Sequence, residues 1–171
     1  MDRANMNRVR ARAAISSFPG IHLRMLQRVL GTSFSTVRYH VSNLEKEGEI
    51  VRRTDSRYER LYPRGTSEAM QSMYATLHRK TVRDLLQVVC DHHNSSPTIS
   101  DLANLTSLSA STIAECVKQL SEVGLVTRAQ GADGRFRYEI QDVELVQRLL
   151  ASFRRSMIDI ASDNLIDLWD F

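Results

Sequence analysis

The chain has 171 residues, of which 42% are hydrophobic and 25% charged, so it is long and apolar enough for one domain or two small ones. It contains no run of about 18 consecutive apolar residues, and we therefore expect no transmembrane helix and no membrane partner. Two cysteines are too few for a disulfide framework in a chain of this length, which favours a cytoplasmic protein.

Positive charge is concentrated at the start of the chain. Residues 1–65 carry 13 Lys and Arg against 6 Asp and Glu, a net charge of +7. Residues 66–171 carry 10 against 14, a net charge of −4. A basic segment followed by an acidic one predicts a polyanionic partner for the basic segment alone. The alternative is a basic surface that is simply solvated.

The first 65 residues predict three helices and a hairpin. An Arg-rich helix, "NRVRARAAISSF", precedes a second helix with apolar residues at Leu23, Leu26 and Val29/Leu30. Gly31 should end that helix, Ser33 should cap a third, and Gly48 should end the third in the left-handed conformation. The apolar stripe of the third helix is Val37, Val41 and Leu44. "EIVRRT" and "YERLYP" then predict two strands around the turn "DSR".

The rest of the chain predicts a similar series. Residues 66–77 predict a connecting helix, with apolar residues at helical spacing (Met70, Met73, Tyr74 and Leu77). A helix over "LHRKTVRDLLQVVCDHH" comes next, and Thr98 with Asp101 predicts a capping box for another. A third helix is expected over residues 110–122, followed by a Gly-rich hairpin, "GLVTRAQGADGRFRYEI".

The tail after Gln141 has the spacing of a coiled-coil seam. Apolar residues recur at intervals of 3, 4, 3, 4 and 3 positions, at Val143, Val146, Leu150, Phe153, Met157 and Ile160. Asn164 occupies the next seam position and could set the register of a partner helix. The seam predicts a long C-terminal helix through which the chain forms a homodimer. The alternative is that the helix packs on its own chain.

A repeat underlies the two series. Residues 21–52 align with residues 97–128 at a shift of 76 positions. Identities include Ser33 with Ser109, Thr36 with Thr112, and Gly48 with Gly124. We therefore predict two tandem copies of one winged helix-turn-helix module, giving a fold that is mostly α with small β-wings (α+β).

These residues resemble a known superfamily. "STVRYHVSNLEKEGEIVRR" resembles the recognition helix and first wing strand of the ArsR/MarR-type winged-helix regulators, and "PGIHLRMLQRVL" resembles the preceding helix of archaeal tandem winged-helix transcription regulators. The resemblance covers nearly the whole chain and implies transcription regulation. It also implies a contact role for His40, a position at which that family often has histidine, although a packing histidine is equally compatible with the pattern.

The third helix of the first module has the residues that major-groove recognition needs. Once its apolar stripe is removed, hydrogen-bonding side chains remain, and an arginine can pair with guanine or an asparagine with adenine. The adjacent wing is basic and suits phosphate contact. The predicted contacts to double-stranded DNA are Ser35, Thr36, Arg38, Tyr39, His40, Ser42, Asn43, Arg52, Arg53, Arg57 and Arg60. The alternative is an ordinary polar helix face.

Other candidate residues fit structural roles better. Tyr58 and Tyr62 alternate along a strand and are expected to pack against the sheet rather than stack on bases. The cluster of Cys90, His92 and His93 has too few ligands for a zinc site, so no metal or cofactor is expected. No nucleophile elbow, phosphate loop or carboxylate pair is recognisable, which argues against an enzyme.

These observations predict a winged-helix DNA-binding domain over 1–65, a connecting helix over 66–77, a second winged-helix domain over 78–140 and a dimerisation helix over 141–171. The chain is expected to be a sequence-specific transcription regulator. The second recognition helix carries Glu115 and a single cation, Lys118, so we expect it to bind DNA weakly and to be available for a protein partner or an effector. The alternatives are a tandem winged-helix adaptor of chromosome or basal transcription machinery, and an effector-sensing repressor.

Overall fold

A computed structural model of the chain describes the backbone of residues 3–55 and 58–166, and the side chains of residues 6–54 and 58–154. The helices are α1 (Arg3–Ser17), α2 (Leu23–Leu30), α3 (Phe34–Lys46), α4 (Glu68–Leu77), α5 (Lys80–Asp91), α6 (Ile99–Leu105), α7 (Ala110–Glu122) and α8 (Val143–Ile166). The strands are β1 (Ile21–His22), β2 (Ile50–Asp55), β3 (Tyr58–Pro63), β4 (Thr127–Gln130) and β5 (Phe136–Glu139). The described chain is mostly helical with small antiparallel sheets, in agreement with the α+β prediction.

The chain divides into two compact units. The first unit holds Met1–Gln71 and Ser152–Phe171, and the second holds Ser72–Ala151. The division at residues 71 and 72 lies inside α4, the helix that follows the first wing. No helix in the described part of the chain is long and apolar enough to cross a membrane.

The first unit packs three helices beside a three-stranded antiparallel sheet of order β1-β3-β2. β2 and β3 form a hairpin in which Arg53 lies opposite Arg60, and β1 pairs with β3 through Ile21 opposite Leu61. The completely buried core residues are Ala11, Ile15, Ile21, Leu26, Val37, Val41 and Leu61. Because β3 has a neighbour on each side, it is the central strand of the sheet, and it carries Arg60.

The helix ends of the first unit follow from local capping. Gly31 follows α2 at φ 59°, and Gly48 follows α3 at φ 69°. Glycine adopts these left-handed angles without the penalty that a Cβ would impose, so both predicted helix ends are confirmed. The start of α2 was not anticipated from the sequence. His22 caps it by accepting the Met25 backbone N–H on Nδ1 at 3.1 Å.

The second unit contains α5, α6 and α7 followed by the two-stranded antiparallel hairpin β4-β5. The predicted capping box is confirmed, because Thr98 Oγ1 accepts the Asp101 N–H at 3.2 Å while the Asp101 carboxylate accepts the Thr98 N–H at 2.9 Å. The core residues with no exposed surface are Leu77, Val82, Leu85, Leu86, Val89, Leu102, Ile113 and Leu120.

The two units have corresponding elements at the predicted shift of 76 positions. α7 begins and ends 76 residues after α3, and both helices have 13 residues. Their N-caps match in detail. Ser33 Oγ accepts the Thr36 N–H at 3.2 Å, and Ser109 Oγ accepts the Thr112 N–H at the same distance. The sequence repeat is therefore accompanied by the same N-cap hydrogen bond at the start of α3 and of α7.

Part of the predicted apolar seam of α8 packs within the chain. Val146 and Leu150 are buried in the second unit, at 1% and 7% exposure. Phe153 is 2% exposed and lies edge-on to Phe18 of the first unit's core, with the ring centroids 5.2 Å apart. These three seam positions therefore pack as the intramolecular alternative predicts. The side chains of Met157, Ile160 and Asn164 lie outside the described residues.

Candidate nucleic-acid interface

α3 has one buried face and one exposed face. Val37, Val41 and Leu44 are at most 1% exposed and fix the helix against α1 and α2. Ser35, Arg38 and Tyr39 are exposed on the other side, as the sequence predicts. The buried stripe therefore anchors the helix while its other face remains accessible to a partner.

The first turn of α3 is a network of hydroxyl groups. Ser33 Oγ lies 2.9 Å from Ser35 Oγ and 2.8 Å from Thr36 Oγ1, in addition to capping the Thr36 N–H. Thr36 is half-buried and is committed to this cap, whereas Ser35 is exposed. The network places polar groups beside the positive end of the helix dipole, where phosphate oxygens bind favourably.

Arg38 and Tyr39 are two exposed recognition residues of α3. No carboxylate lies within ion-pair distance of Arg38 among the residues whose side chains are described. Tyr39 is 62% exposed, and its ring lies edge-on to His40. Ser42 and Asn43 follow on the same helix and are half-buried. Arg38 therefore retains a guanidinium fork that no described side chain neutralises.

His40 has to be removed from the predicted contact set. It is only 3% exposed and lies with the buried stripe of α3. Burial lowers the pKa of His40 below its ordinary value, and the nearby charge of Arg8 lowers it further. Its Nδ1 is buried without a hydrogen-bond partner in the described structure. Because this imidazole is buried and its pKa is lowered, His40 presents neither an exposed donor nor a positive charge to phosphate, and its position fits the packing alternative.

The wing arginines fall into different environments. Arg53 is exposed on β2 and has no ion pair with any side chain that the structure describes. Arg52 is half-buried, with its guanidinium 2.9 Å from a Glu45 carboxylate oxygen and 3.3 Å from one of Glu59. The predicted phosphate contact at Arg52 is therefore replaced by a clamp that joins the end of α3 to both wing strands. Arg57 lies outside the described residues.

Arg60 is also removed from the predicted contacts. It is 8% exposed and donates a hydrogen bond from Nη1 to the Gly20 carbonyl oxygen at 3.1 Å. Its guanidinium carbon lies 5.9 Å from the centroid of the Tyr58 ring. This hydrogen bond ties the α1–β1 turn to the wing.

The two wing tyrosines differ in exposure. Tyr62 is 1% exposed and donates its hydroxyl to the Gln71 carbonyl at 3.2 Å, which confirms a packing role. Tyr58 is 50% exposed and stacks on His22, with the centroids 5.3 Å apart.

The environment of His22 lowers its pKa. Burial is the main cause, and the charges of Arg60, Arg28 and Arg24 add to the decrease. His22 therefore stays neutral at neutral pH, as its capping role requires.

Two exposed arginines of α2 are absent from the predicted contact set. Arg24 and Arg28 are exposed on α2, one helical turn apart, and no ion pair joins either to another described side chain. The first helix of a helix-turn-helix pair crosses the DNA backbone, so this helix face suits phosphate contact. Their i, i+4 spacing along a predicted helix could have indicated that the two arginines share one exposed face.

Two arginines of α1 are instead held in ion pairs. Arg8 pairs with Glu47, and Arg12 lies 3.2 Å from Glu49.

The second unit presents a different surface at the corresponding positions. Ala114 and Glu115 stand on α7 where Arg38 and Tyr39 stand on α3. Cys116 occupies the position of His40 and is equally buried, and burial raises the pKa of its thiol. α7 therefore lacks the free guanidinium that α3 presents.

Cys90, His92 and His93 lie at the C-terminal end of α5. Cys90 is 4% exposed, while the Nδ1 atoms of His92 and His93 lie 2.9 Å and 2.7 Å from the carbonyl oxygens of Val88 and Cys90. Among the described residues no group of three His, Cys, Asp or Glu side chains is arranged to hold a metal ion.

Comparison with known families identifies the first unit. Residues 5–73 match the family model HTH_HVO_0163_N, described as an N-terminal HTH domain. The match covers α1 to α3 and the first wing, which is less than half of the 171-residue chain. A comparison with curated proteins gave no match. Together with the β2–β3 hairpin, the match shows a winged helix-turn-helix domain at residues 5–73, in agreement with the resemblance found in the sequence.

Proposed function

We propose, from the winged helix-turn-helix domain at residues 5–73, that the chain is a sequence-specific DNA-binding transcription regulator in which α3 reads the major groove. The observation that carries the proposal is the exposed guanidinium of Arg38, on the side of α3 opposite the buried stripe, which has no ion pair with any described side chain. The major groove of B-DNA admits one helix, and an arginine fork can donate two hydrogen bonds to guanine.

Positioning on the duplex is assigned to other residues. Arg53 of the wing, with Arg24 and Arg28 of α2, supplies exposed cations on elements that flank α3. Contacts of this kind neutralise phosphates and fix orientation without reading sequence. The clamp of Arg52 between Glu45 and Glu59 supports this arrangement, because it holds the wing strands to the end of the reading helix.

The second unit is proposed to be a second winged-helix module that does not read DNA. Its helices and hairpin follow the order of the first unit at a constant shift, which supports the tandem interpretation. With Ala114 and Glu115 at the reading positions, α7 has no donor fork for guanine and carries a charge that repels phosphate. We assign no catalytic role and no cofactor to either unit, and we expect the protein to act in the cytoplasm.

Selection of DNA from a random pool by the full-length protein tests the proposed function. We expect enrichment of one sequence containing at least one G·C pair whose guanine is essential. Enrichment that does not exceed the starting pool, together with weak binding to every fragment, would favour the alternative of a protein adaptor.

A wing variant should change the salt dependence of binding. Replacing Arg53 by glutamine is expected to weaken binding to all sequences and to reduce the slope of log Kd against log salt by about 1, the value for one phosphate contact. Fluorescence anisotropy over a salt series measures the slope. Arg135→Gln is the matched control, because it removes the same charge from an exposed position on the hairpin of the second unit. An unchanged slope for Arg53→Gln would contradict the assignment.

We also propose that the chain binds DNA as a homodimer, since a two-fold dimer presents two reading helices to two half-sites. Val146, Leu150 and Phe153 are buried within the chain, so we assign the dimer seam to the later positions Met157 and Ile160 of the terminal helix. Replacing Met157 and Ile160 together by glutamate should yield a monomer in light scattering with unchanged helix content. A dimer that survives these substitutions would place the interface elsewhere, and a monomeric wild type would end the proposal.

A further inference from the structure

A groove of about 790 Å³ lies in the second unit between α7 and the β4–β5 hairpin. This volume is within the range of small-molecule sites, about 300–1,000 Å³. We name it the α7 groove and define it by Ala114, Val117, Lys118, Arg128, Phe136 and Tyr138. It lies wholly within residues 99–138, so a single unit forms it.

The interior of the α7 groove is apolar and aromatic. Val117 and Tyr138 are 3% and 6% exposed and form part of its buried lining. Phe136 is 44% exposed, an unusual state for a phenylalanine on a strand. The lining therefore offers an apolar body a surface that includes two aromatic rings.

The rim of the groove has cations without acidic partners. Neither Arg128 nor Lys118 has a carboxylate within ion-pair distance among the described side chains. The Arg128 guanidinium instead lies over the Phe136 ring, 4.0 Å from its centroid. A guanidinium on an aromatic face keeps its hydrogen-bond donors available for an anion.

Comparison with the first unit explains why this arginine is free. Arg128 stands where Arg52 stands in the first unit, 76 residues earlier. Arg52 is neutralised by Glu45 and Glu59, whereas Ser121 takes the place of Glu45. The sheet registers, Arg52 opposite Leu61 and Arg128 opposite Tyr138, put Phe136 in the place of Glu59.

Both replacements line the α7 groove. In place of the two carboxylates that neutralise Arg52 in the first unit, the second unit has the hydroxyl of Ser121 and the ring of Phe136 beside Arg128. The same exchange therefore opens the groove and leaves Arg128 without an ion pair to any described side chain.

We propose that the α7 groove binds a small organic monoanion, an aromatic or branched aliphatic carboxylate, with its apolar body on Phe136, Val117 and Tyr138. The carboxylate is held by the donors of Arg128 and Lys118. Glu122 also lines the groove and adds one negative charge, which disfavours ligands of higher charge. Ligand binding in this groove stands independently of DNA binding by the first unit.

Anilinonaphthalene sulfonate, a fluorescent aryl monoanion, is the probe for this site on the full-length protein. We expect one probe molecule per chain, and we expect phenylpropionate to displace it. At matched ionic strength, acetate and the neutral amide of phenylpropionate should displace it poorly. Equal displacement by acetate would reduce the site to a cationic surface patch and overturn the proposal, as would equal displacement by the neutral amide.

Matched variants separate the site from general charge effects. Arg128→Gln should weaken probe binding about tenfold, as expected for loss of a charge-assisted hydrogen bond, whereas Arg135→Gln removes the same charge outside the groove and should leave the affinity within about twofold. Glu122→Gln should tighten binding, an effect that damage to the fold would not produce. Equal effects of Arg128→Gln and Arg135→Gln would refute the proposal. So would probe binding that falls as protein concentration rises, because a second copy would then fill the groove.

Discussion

Replacing Phe153 by alanine is expected to lower the free energy of unfolding by about 3–5 kcal/mol, the range for a buried phenylalanine. Its ring is 2% exposed and lies edge-on to Phe18, so truncation removes apolar burial and an aromatic contact together. Urea denaturation followed by circular dichroism measures the change. Phe136→Ala is the matched control, because the same truncation at 44% exposure should cost much less.

Protein concentration distinguishes the two packing alternatives for Phe153. If the ring packs within the chain, the loss of stability is the same at every protein concentration. A loss that grows on dilution would show that the ring contributes to a dimer interface instead, because dimer stability depends on concentration. A loss no greater than that of Phe136→Ala would contradict the buried position of Phe153.

Sequence periodicity predicted the elements because each carries its own local signal. Gly31 and Gly48 end their helices at left-handed angles, and Thr98 with Asp101 forms the predicted capping box. The shift of 76 positions was also sufficient to place α7, whose cap at Ser109 repeats that of Ser33. These features depend on residues within a few positions of one another, which is the distance over which a sequence pattern is informative.

The site was predicted less completely, because burial depends on distant elements. His40 follows Val37 by three positions and precedes Leu44 by four, so helical spacing already places it on the buried stripe. The family resemblance suggested a contact role, and the sequence pattern was equally compatible with a packing histidine. The 3% exposure of His40 agrees with its spacing from the apolar stripe and with the packing alternative.

The wing arginines show the same limit in a strand. Arg52 and Arg60 lie in a basic run whose pattern predicts solvent exposure. Ion pairs with Glu45 and Glu59 instead hold Arg52, and a hydrogen bond to the Gly20 carbonyl holds Arg60. Alternation along β3 could not predict that β1 would cover its other edge, because β1 comes from a two-residue segment with no strand signal of its own. Of the described wing arginines, Arg53 alone keeps the predicted exposure without an ion pair.

Replacing Arg38 by alanine is expected to weaken binding to the selected DNA sequence by about 1–3 kcal/mol and to relax the preference at one base pair. The physical reason is the loss of two parallel hydrogen bonds from its guanidinium to one guanine. Binding to unselected DNA should change much less, because that binding depends on phosphate contacts. Anisotropy titrations with the selected sequence, and with the same sequence carrying each base change at the essential guanine, measure both quantities.

Arg38→Lys separates base recognition from charge at this position. Lysine keeps the positive charge but lacks the planar fork, so we expect the affinity for unselected DNA to be retained and the preference for guanine to fall. Arg53→Ala should behave in the opposite way, lowering the affinity for every sequence by the same factor. If Arg38→Ala also lowers all affinities equally and Arg38→Lys restores them, then Arg38 contacts phosphate. The base sequence would then have to be read by other exposed side chains of α3, such as Ser35 and Tyr39, the latter 62% exposed.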